Sequence, residues 1–156
     1  QRVPLDEITV VEVPARRIVW MDQPLKIDGF LDMEEPIRQL DQSEAEAVVF
    51  LGKVGVGITK EHLIAGQLDE YDGAFLVLDH EDIYSGKTSV LPKSKCVRIR
   101  FRGSHPEAAE QYRKLLAYIE EQDLRIAGFS REITLIDYGI TNDTGKFVTE
   151  ICIPVE

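Results

Sequence analysis

Two short segments, half a chain apart, follow one pattern. Pro14-Ala15-Arg16-Arg17-Ile18-Val19 resembles Pro92-Lys93-Ser94-Lys95-Cys96-Val97 at an offset of 78 positions in a chain of 156. In both, a proline and basic residues lead into an apolar strand. A second echo, at an offset of 72, links Gly73-Ala74-Phe75 with Gly145-Lys146-Phe147. Two echoes in the same order point to an internal duplication, which restricts the chain to folds built from two copies of one unit. The expected boundaries are about 5–82 for the first copy and 83–156 for the second, within one domain spanning 1–156. Domains typically span roughly 100–200 residues, which also fits a single one.

The periodicity supplies the unit. Residues 96–101 read as a strand with Val97, Ile99 and Phe101 on one face. Ser104-His105-Pro106-Glu107 has the spacing of a capping box, with proline tolerated in the first helical turn. Ala108, Tyr112, Leu115, Leu116 and Ile119 then trace one buried stripe of a helix ending near Gln122. Residues 133–137 form a strand, 138–143 a loop and 147–155 a long last strand, so the order is β-α-β-β. The first half repeats that order less regularly. Residues 8–13 and 17–21 are extended around Pro14, and 32–40 form a short helix with Asp32 and Glu35 as its capping box. Residues 54–58 alternate apolar residues with glycine, as a strand in close contact would, 59–62 cap a helical turn, and 74–79 are a strand. The fold class is α+β: tandem β-α-β-β units, antiparallel sheets with helices packed on one face, and a central ligand cleft.

Charge narrows the function. With 28 acidic and 18 basic residues the net charge is −10, so this polypeptide is not expected to bind nucleic acid, where Lys and Arg must neutralise phosphates. An acidic surface tolerates cationic small molecules. No apolar run approaches the roughly 18 residues of a membrane span. Cys96 and Cys152 are too few for a disulfide scaffold and wrongly spaced for zinc. A cytoplasmic location is expected, with both thiols as small buried residues. The first residue is Gln1 rather than Met, so the expectation is a processed chain or an excised piece of a longer one.

Phosphate-binding, dinucleotide, serine-hydrolase and zinc-protease motifs are absent, and no cofactor or metal is implied. Asp79-His80-Glu81-Asp82 reads as a solvated acidic loop, and His105 as a surface residue in a helix cap. Glu132 draws more attention. Residues two apart on a strand share a face, so Glu132, Thr134 and Ile136 oppose Ile133 and Leu135. If Ile133 and Leu135 pack on the helices, Glu132 shares the opposite face with Glu150, Cys152, Arg98 and Arg100. Two readings follow: Glu132 pairs with Arg98 or Arg100 on an exposed sheet, or it lines a cleft and meets a cationic ligand or a water. Trp20, Tyr71, Phe75, Phe101, Tyr112, Tyr118 and Tyr138 could supply aromatic faces for such a ligand. Taken singly, Phe101 reads as core, Tyr118 as a partly exposed helix residue and Tyr71 as a loop-closing hydroxyl.

Several runs together resemble the GyrI-like ligand-binding domain, in the variant found as the C-terminal effector-binding domain of MerR-family transcription regulators. They are Leu91-Pro92, Arg100-Phe101-Arg102-Gly103-Ser104-His105, Tyr112-Arg113-Lys114-Leu115-Leu116-Ala117-Tyr118-Ile119, Glu132-Ile133-Thr134-Leu135-Ile136-Asp137 and 147–155. In the first half they are Phe50-Leu51-Gly52-Lys53-Val54-Gly55 and Glu70-Tyr71-Asp72-Gly73. The likeness covers about Leu5 to Val155. It implies a central cleft that takes lipophilic, often cationic, aromatic compounds, with a floor carboxylate that matches Glu132. Tyr112, Tyr71, Trp20 and Tyr138 are the implied aromatic ligand-binding residues. It implies a hydrophobic small-molecule partner, DNA contact only through an N-terminal domain outside this chain, and no membrane partner. A stand-alone relative brings a second possibility: a small hydrolase of electrophilic cyclopropane-type compounds, with Glu132 as general base and Tyr112 beside it. A free binding protein, or a protein-binding inhibitor of another enzyme, is a further alternative.

Overall fold

The computed structural model describes residues 4–22, 24–26, 54–79, 86–103, 105–135 and 148–156. The helix expected at 32–40, His80, Ser104, Tyr138 and the echo at 145–147 lie outside the described residues.

Prolines set the first architectural decision. Strand β1 (Thr9–Val13) is separated from β2 (Arg16–Met21) by Pro14-Ala15, and β7 (Ser89–Leu91) from β8 (Ser94–Arg102) by Pro92-Lys93. Proline cannot donate to a ladder, so each pair of strands parts there. The leading strands then cross to the other half: β1 pairs with β8, placing Thr9 opposite Arg98, and β7 pairs with β2, placing Arg16 opposite Leu91. Sequence periodicity carries no sign of this exchange.

Four further strands, β4 (Val54–Gly57), β6 (Gly73–Leu78), β9 (Arg131–Leu135) and β10 (Val148–Val155), complete an eight-stranded curled sheet. Its order is β1-β8-β10-β9-β4-β6-β2-β7, and each of its ladders is antiparallel. β8 lies second from one edge and β2 second from the other. Two short strands, β3 (Leu25–Lys26) and β5 (Glu70–Tyr71), pair separately. The sheet's halves meet where β4 faces β9, through Gly55 opposite Ile133 and Val56 opposite Glu132. The glycines of β4 are required there. A Cβ on Gly55 would lie 2.3 Å from the tip of the Phe75 ring, and one on Gly57 would lie 2.4 Å from the Ser130 carbonyl oxygen.

Helix α1 (Lys60–Ala65) is capped as the sequence suggests: the Thr59 hydroxyl accepts from the His62 N–H at 3.4 Å, and Gly66 closes the helix at φ 73°. Helix α2 (Ala108–Glu121) follows a 3-10 turn, His105–Glu107. Its N-cap position is Glu107, which makes no side-chain cap bond, so the helix starts later than the capping-box spacing suggests. Its stripe is as expected: Ala108, Tyr112, Leu115 and Ile119 are buried against Val97, Ile99, Phe101, Ile151 and Ile153 of the sheet. Each large side chain buried there contributes about 1.5–3 kcal/mol of apolar transfer energy.

The opposite sheet face carries its own cluster, in which Ile18, Phe75 and Leu91 pack with Trp20, Val77, Phe129 and Ile133. This corrects the expected phase of β9. Glu132 sits opposite Ile151 and Val56, so it faces α2 with the main core, whereas Ile133 joins Phe75 on the far side. Glu150, Cys152, Arg98 and Arg100 lie on that far side as expected, but without Glu132. Alternation decides which residues of a strand share a face. It does not decide which face meets the helix.

Candidate functional site

Glu132 stands at the seam between the two halves of the sheet and is fully buried. Charged side chains are almost never fully buried unless paired, and three elements bring partners to it. Tyr71, on β5, donates its hydroxyl to Glu132 Oε2 at 2.6 Å. His105, in the turn before α2, places Nδ1 against the same oxygen. Tyr112, one turn into α2, is fully buried beside the carboxylate and shares a 2.9 Å hydrogen bond with the Ser130 hydroxyl. Ser130 Oγ also accepts from the Ile58 N–H at 2.9 Å, which ties the end of β4 to the start of β9. Tyr71 and His105 meet edge to face, with ring centroids 5.7 Å apart.

A second relay runs from the far nitrogen of His105. Nε2 lies 3.4 Å from Thr134 Oγ1, which lies 2.9 Å from Thr149 Oγ1, and Thr149 donates to the Gly103 carbonyl at 2.8 Å. The imidazole is therefore held at both nitrogens. Burial, then the negative charge of Glu132, pushes the phenol of Tyr71 far above its ordinary value of 10, and the same two causes raise Tyr112 well above it. Both phenols remain protonated donors. The carboxylate is left asymmetric: Oε2 holds Tyr71 and His105, while buried Oε1 has no hydrogen-bond partner among the described residues. An unpaired buried acceptor costs about 1–3 kcal/mol or more when charged, so Oε1 is an open position for a donor or a cation.

Of the residues singled out from sequence, Glu132, Tyr71 and Tyr112 converge. Trp20 does not join them. It lies opposite Phe75 on the far face of the sheet, stacked on it at 6.5 Å and 15°, with Phe129 at 4.6 Å. Tyr138 is outside the described residues. Of the two readings of Glu132, the pairing with Arg98 or Arg100 does not occur: both arginines lie on the other face, where Arg100 Nε binds Glu150 Oε2 at 2.6 Å. His105 and Ser130 were missed. His105 is 4 % exposed, not a surface residue, and no periodicity marks it because it precedes the helix.

The cysteines are buried, and burial raises both thiols, Cys152 more than Cys96. Cys152 Sγ lies 3.4 Å from Glu150 Oε1 as a donor. One cavity of about 630 Å³ lies between α1 and the end of α2, lined by Leu63, Ile64, Leu116 and Ile119 among others. Another, of about 320 Å³, lies on the far face of the sheet. Neither is lined by Glu132, Tyr71 or Tyr112. No described helix is long and apolar enough to cross a membrane.

Among the described residues, a curled antiparallel sheet with few helices carries a buried, partly unsatisfied carboxylate, and together they define a small α+β domain. Residues 6–156 match the model of the GyrI-like small molecule binding domain, and the chain belongs to that family. No curated protein sequence matches it. Among solved structures, the fold resembles EcmrR in a DNA complex, at 14% identity and TM-score 0.68 over 96% of this chain and 57% of that one. The chain thus spans little more than half of EcmrR. Against the EcmrR C-terminal domain alone the TM-score is 0.62 at 14% identity, with 96% and 97% of the chains covered. A hydrolase from Listeria innocua matches at 15% identity and TM-score 0.58, over 99% and 94%. SAV2435, solved bound to tetraphenylphosphonium, matches at 16% identity and TM-score 0.54, over 96% and 94%.

Proposed function

We propose that this domain is the effector-sensing part of a MerR-type transcription regulator, that it takes a lipophilic aromatic cation at Glu132, and that a separate domain contacts DNA. The observation that carries this reading is the open Oε1 of a fully buried carboxylate flanked by two protonated phenols. Tyr71 and Tyr112 offer aromatic faces for the body of the cation, and Glu132 its countercharge. Because Glu132 is fully buried, a ligand reaches it only by parting the residues above it. Binding is then coupled to a rearrangement, which a sensor needs in order to transmit occupancy. The tandem-unit reading supports this. β2 and β8 hold equivalent positions from the two edges, the seam carries Glu132, and a shift at the seam would move the halves against each other. The neighbours EcmrR and SAV2435 favour the same class.

A second reading, a small hydrolase using Glu132 as general base, is favoured by the His105 contact. An imidazole against the carboxylate could pass on the proton that the carboxylate takes from water. One experiment serves both. Tetraphenylphosphonium and its uncharged relative triphenylphosphine oxide are titrated calorimetrically against the wild type and Glu132→Gln. Loss of the charge should cost the cation about 1–3 kcal/mol, or about 5- to 150-fold in affinity, and the neutral compound much less. Equal losses would mean that Glu132 shapes the site without meeting the charge. Turnover of an electrophilic cyclopropane, abolished in Glu132→Gln with binding intact, would replace the sensor with the enzyme.

A further inference from the structure

Adjacent residues on a strand point to opposite faces, so Glu132 has a counterpart on the far side of β9: Arg131. It is 8 % exposed, and its Nε and Nη1 have no hydrogen-bond partner among the described residues. Nη2 makes a long 3.4 Å contact to Ser94 Oγ. A guanidinium stays charged at any pH a protein tolerates, so it cannot escape burial by losing its proton. Buried charge without a partner costs several kcal/mol, and native proteins pair it.

Among the described residues nothing hydrogen-bonds those two nitrogens. Glu150 is held by Arg100 at 2.6 Å. Cys96 lies close enough to feel Arg131, yet burial raises its thiol and keeps it neutral, and Cys152 likewise. Arg131 instead borders the cavity of about 320 Å³ on this face. That volume is at the lower end of small-molecule pockets, which run from about 300 to 1,000 Å³. Its apolar wall is Phe75, Val77, Leu91 and Ile133, and its charged lining is Arg131, Arg16, Asp79 and Glu150.

We propose that this cavity is a second ligand site, which binds a small organic carboxylate on Arg131 with the ligand's apolar body against Phe75, Val77 and Ile133. The charge inventory selects a monoanion. Arg100 balances Glu150, so Arg131 and Arg16 against Asp79 leave one net positive charge at the cavity, which one negative charge matches and the two of a phosphate dianion exceed. The site is distinct from the Glu132 side and does not rest on the function proposed above.

Sodium benzoate is the probe and benzamide its uncharged control. In calorimetric titration at low ionic strength, benzoate should bind the wild-type domain about tenfold or more tighter than benzamide, on the scale of a charge-assisted hydrogen bond. Trp20, the single tryptophan, stacks on the cavity-lining Phe75, so its emission should change with benzoate. Arg131→Met removes the charge and keeps most of the volume. It should abolish the preference for benzoate and melt at or above the wild-type temperature without ligand, because an unpaired buried charge is relieved. Absence of benzoate binding to the wild type, or equal affinity for benzoate and benzamide, overturns the proposal. So does an Arg131→Met variant that keeps the preference. These wild-type titrations decide the matter even if Arg131→Met does not fold.

Discussion

Ser130→Ala tests the polar hub behind the candidate site. The hydroxyl is fully buried, accepts from the Ile58 N–H at 2.9 Å and shares its 2.9 Å bond with Tyr112. Alanine keeps the backbone bond from the Ser130 N–H to the Ile58 carbonyl, so β4 and β9 stay joined while two buried groups lose their partner. Each orphan costs about 1–3 kcal/mol, which puts the substitution at about 2–6 kcal/mol. Tyr112→Phe removes one of the two groups instead, and Ser130 still serves Ile58, so its cost should be about 1 kcal/mol. In the double variant only the Ile58 N–H is orphaned, and the loss should fall short of the sum of the single losses by about 2–4 kcal/mol. Urea denaturation of the four proteins measures this, provided the m-values agree. Any effect of Tyr112→Phe through Glu132 occurs on both legs of the cycle and cancels. Additivity within about 0.3–0.5 kcal/mol would refute the hub, as would a Ser130→Ala loss below about 0.5 kcal/mol.

Gly57→Ala should destabilise the domain by about 1–3 kcal/mol or more and cost more than Gly55→Ala, because its Cβ meets the Ser130 carbonyl whereas that of Gly55 meets a movable ring tip. Chemical denaturation of the two variants checks the order, and the reverse order would show that the seam yields more easily than Phe75. The α1 cap should depend on pH. Asp72 accepts from the Thr59 N–H at 2.7 Å and from His62 Nδ1 at 2.8 Å. Burial alone would raise Asp72, but these bonds outweigh it and hold it below its ordinary 3.8, and the hydrogen bond to Asp72 raises half-exposed His62 above 6.5. The Asp72 contribution is present above 3.8 and lost as pH falls through its lowered value, and that of His62 is present below 6.5 and lost as pH rises through its raised value. The contact therefore stabilises most between those two values, and Asp72→Asn should flatten that maximum in urea midpoints taken at about pH 3, 5 and 8. An unchanged pH profile in the variant would remove the contact from the account.

Local pattern carried much of the fold. The stripe of α2, the Thr59 cap, the break at Pro14 and the close-contact glycines of β4 each depend on a few neighbouring residues, and each is where the sequence placed it. Alternation singled out Glu132, and Tyr71 and Tyr112 stood among the candidate aromatics, but only the family likeness joined the three, because they come from three elements with no common spacing. The tertiary structure alone decided the rest. Period-two alternation leaves the two faces of a sheet equivalent until a helix covers one, so the side on which Glu132 lies was undetermined, and with it the roles of Arg100 and Trp20. The exchange of β1 and β7 between halves, the burial of His105 and the isolation of Arg131 depend on strands far apart in the chain. Those contacts arise from closing the sheet at β4 and β9, an event to which no segment's own periodicity responds.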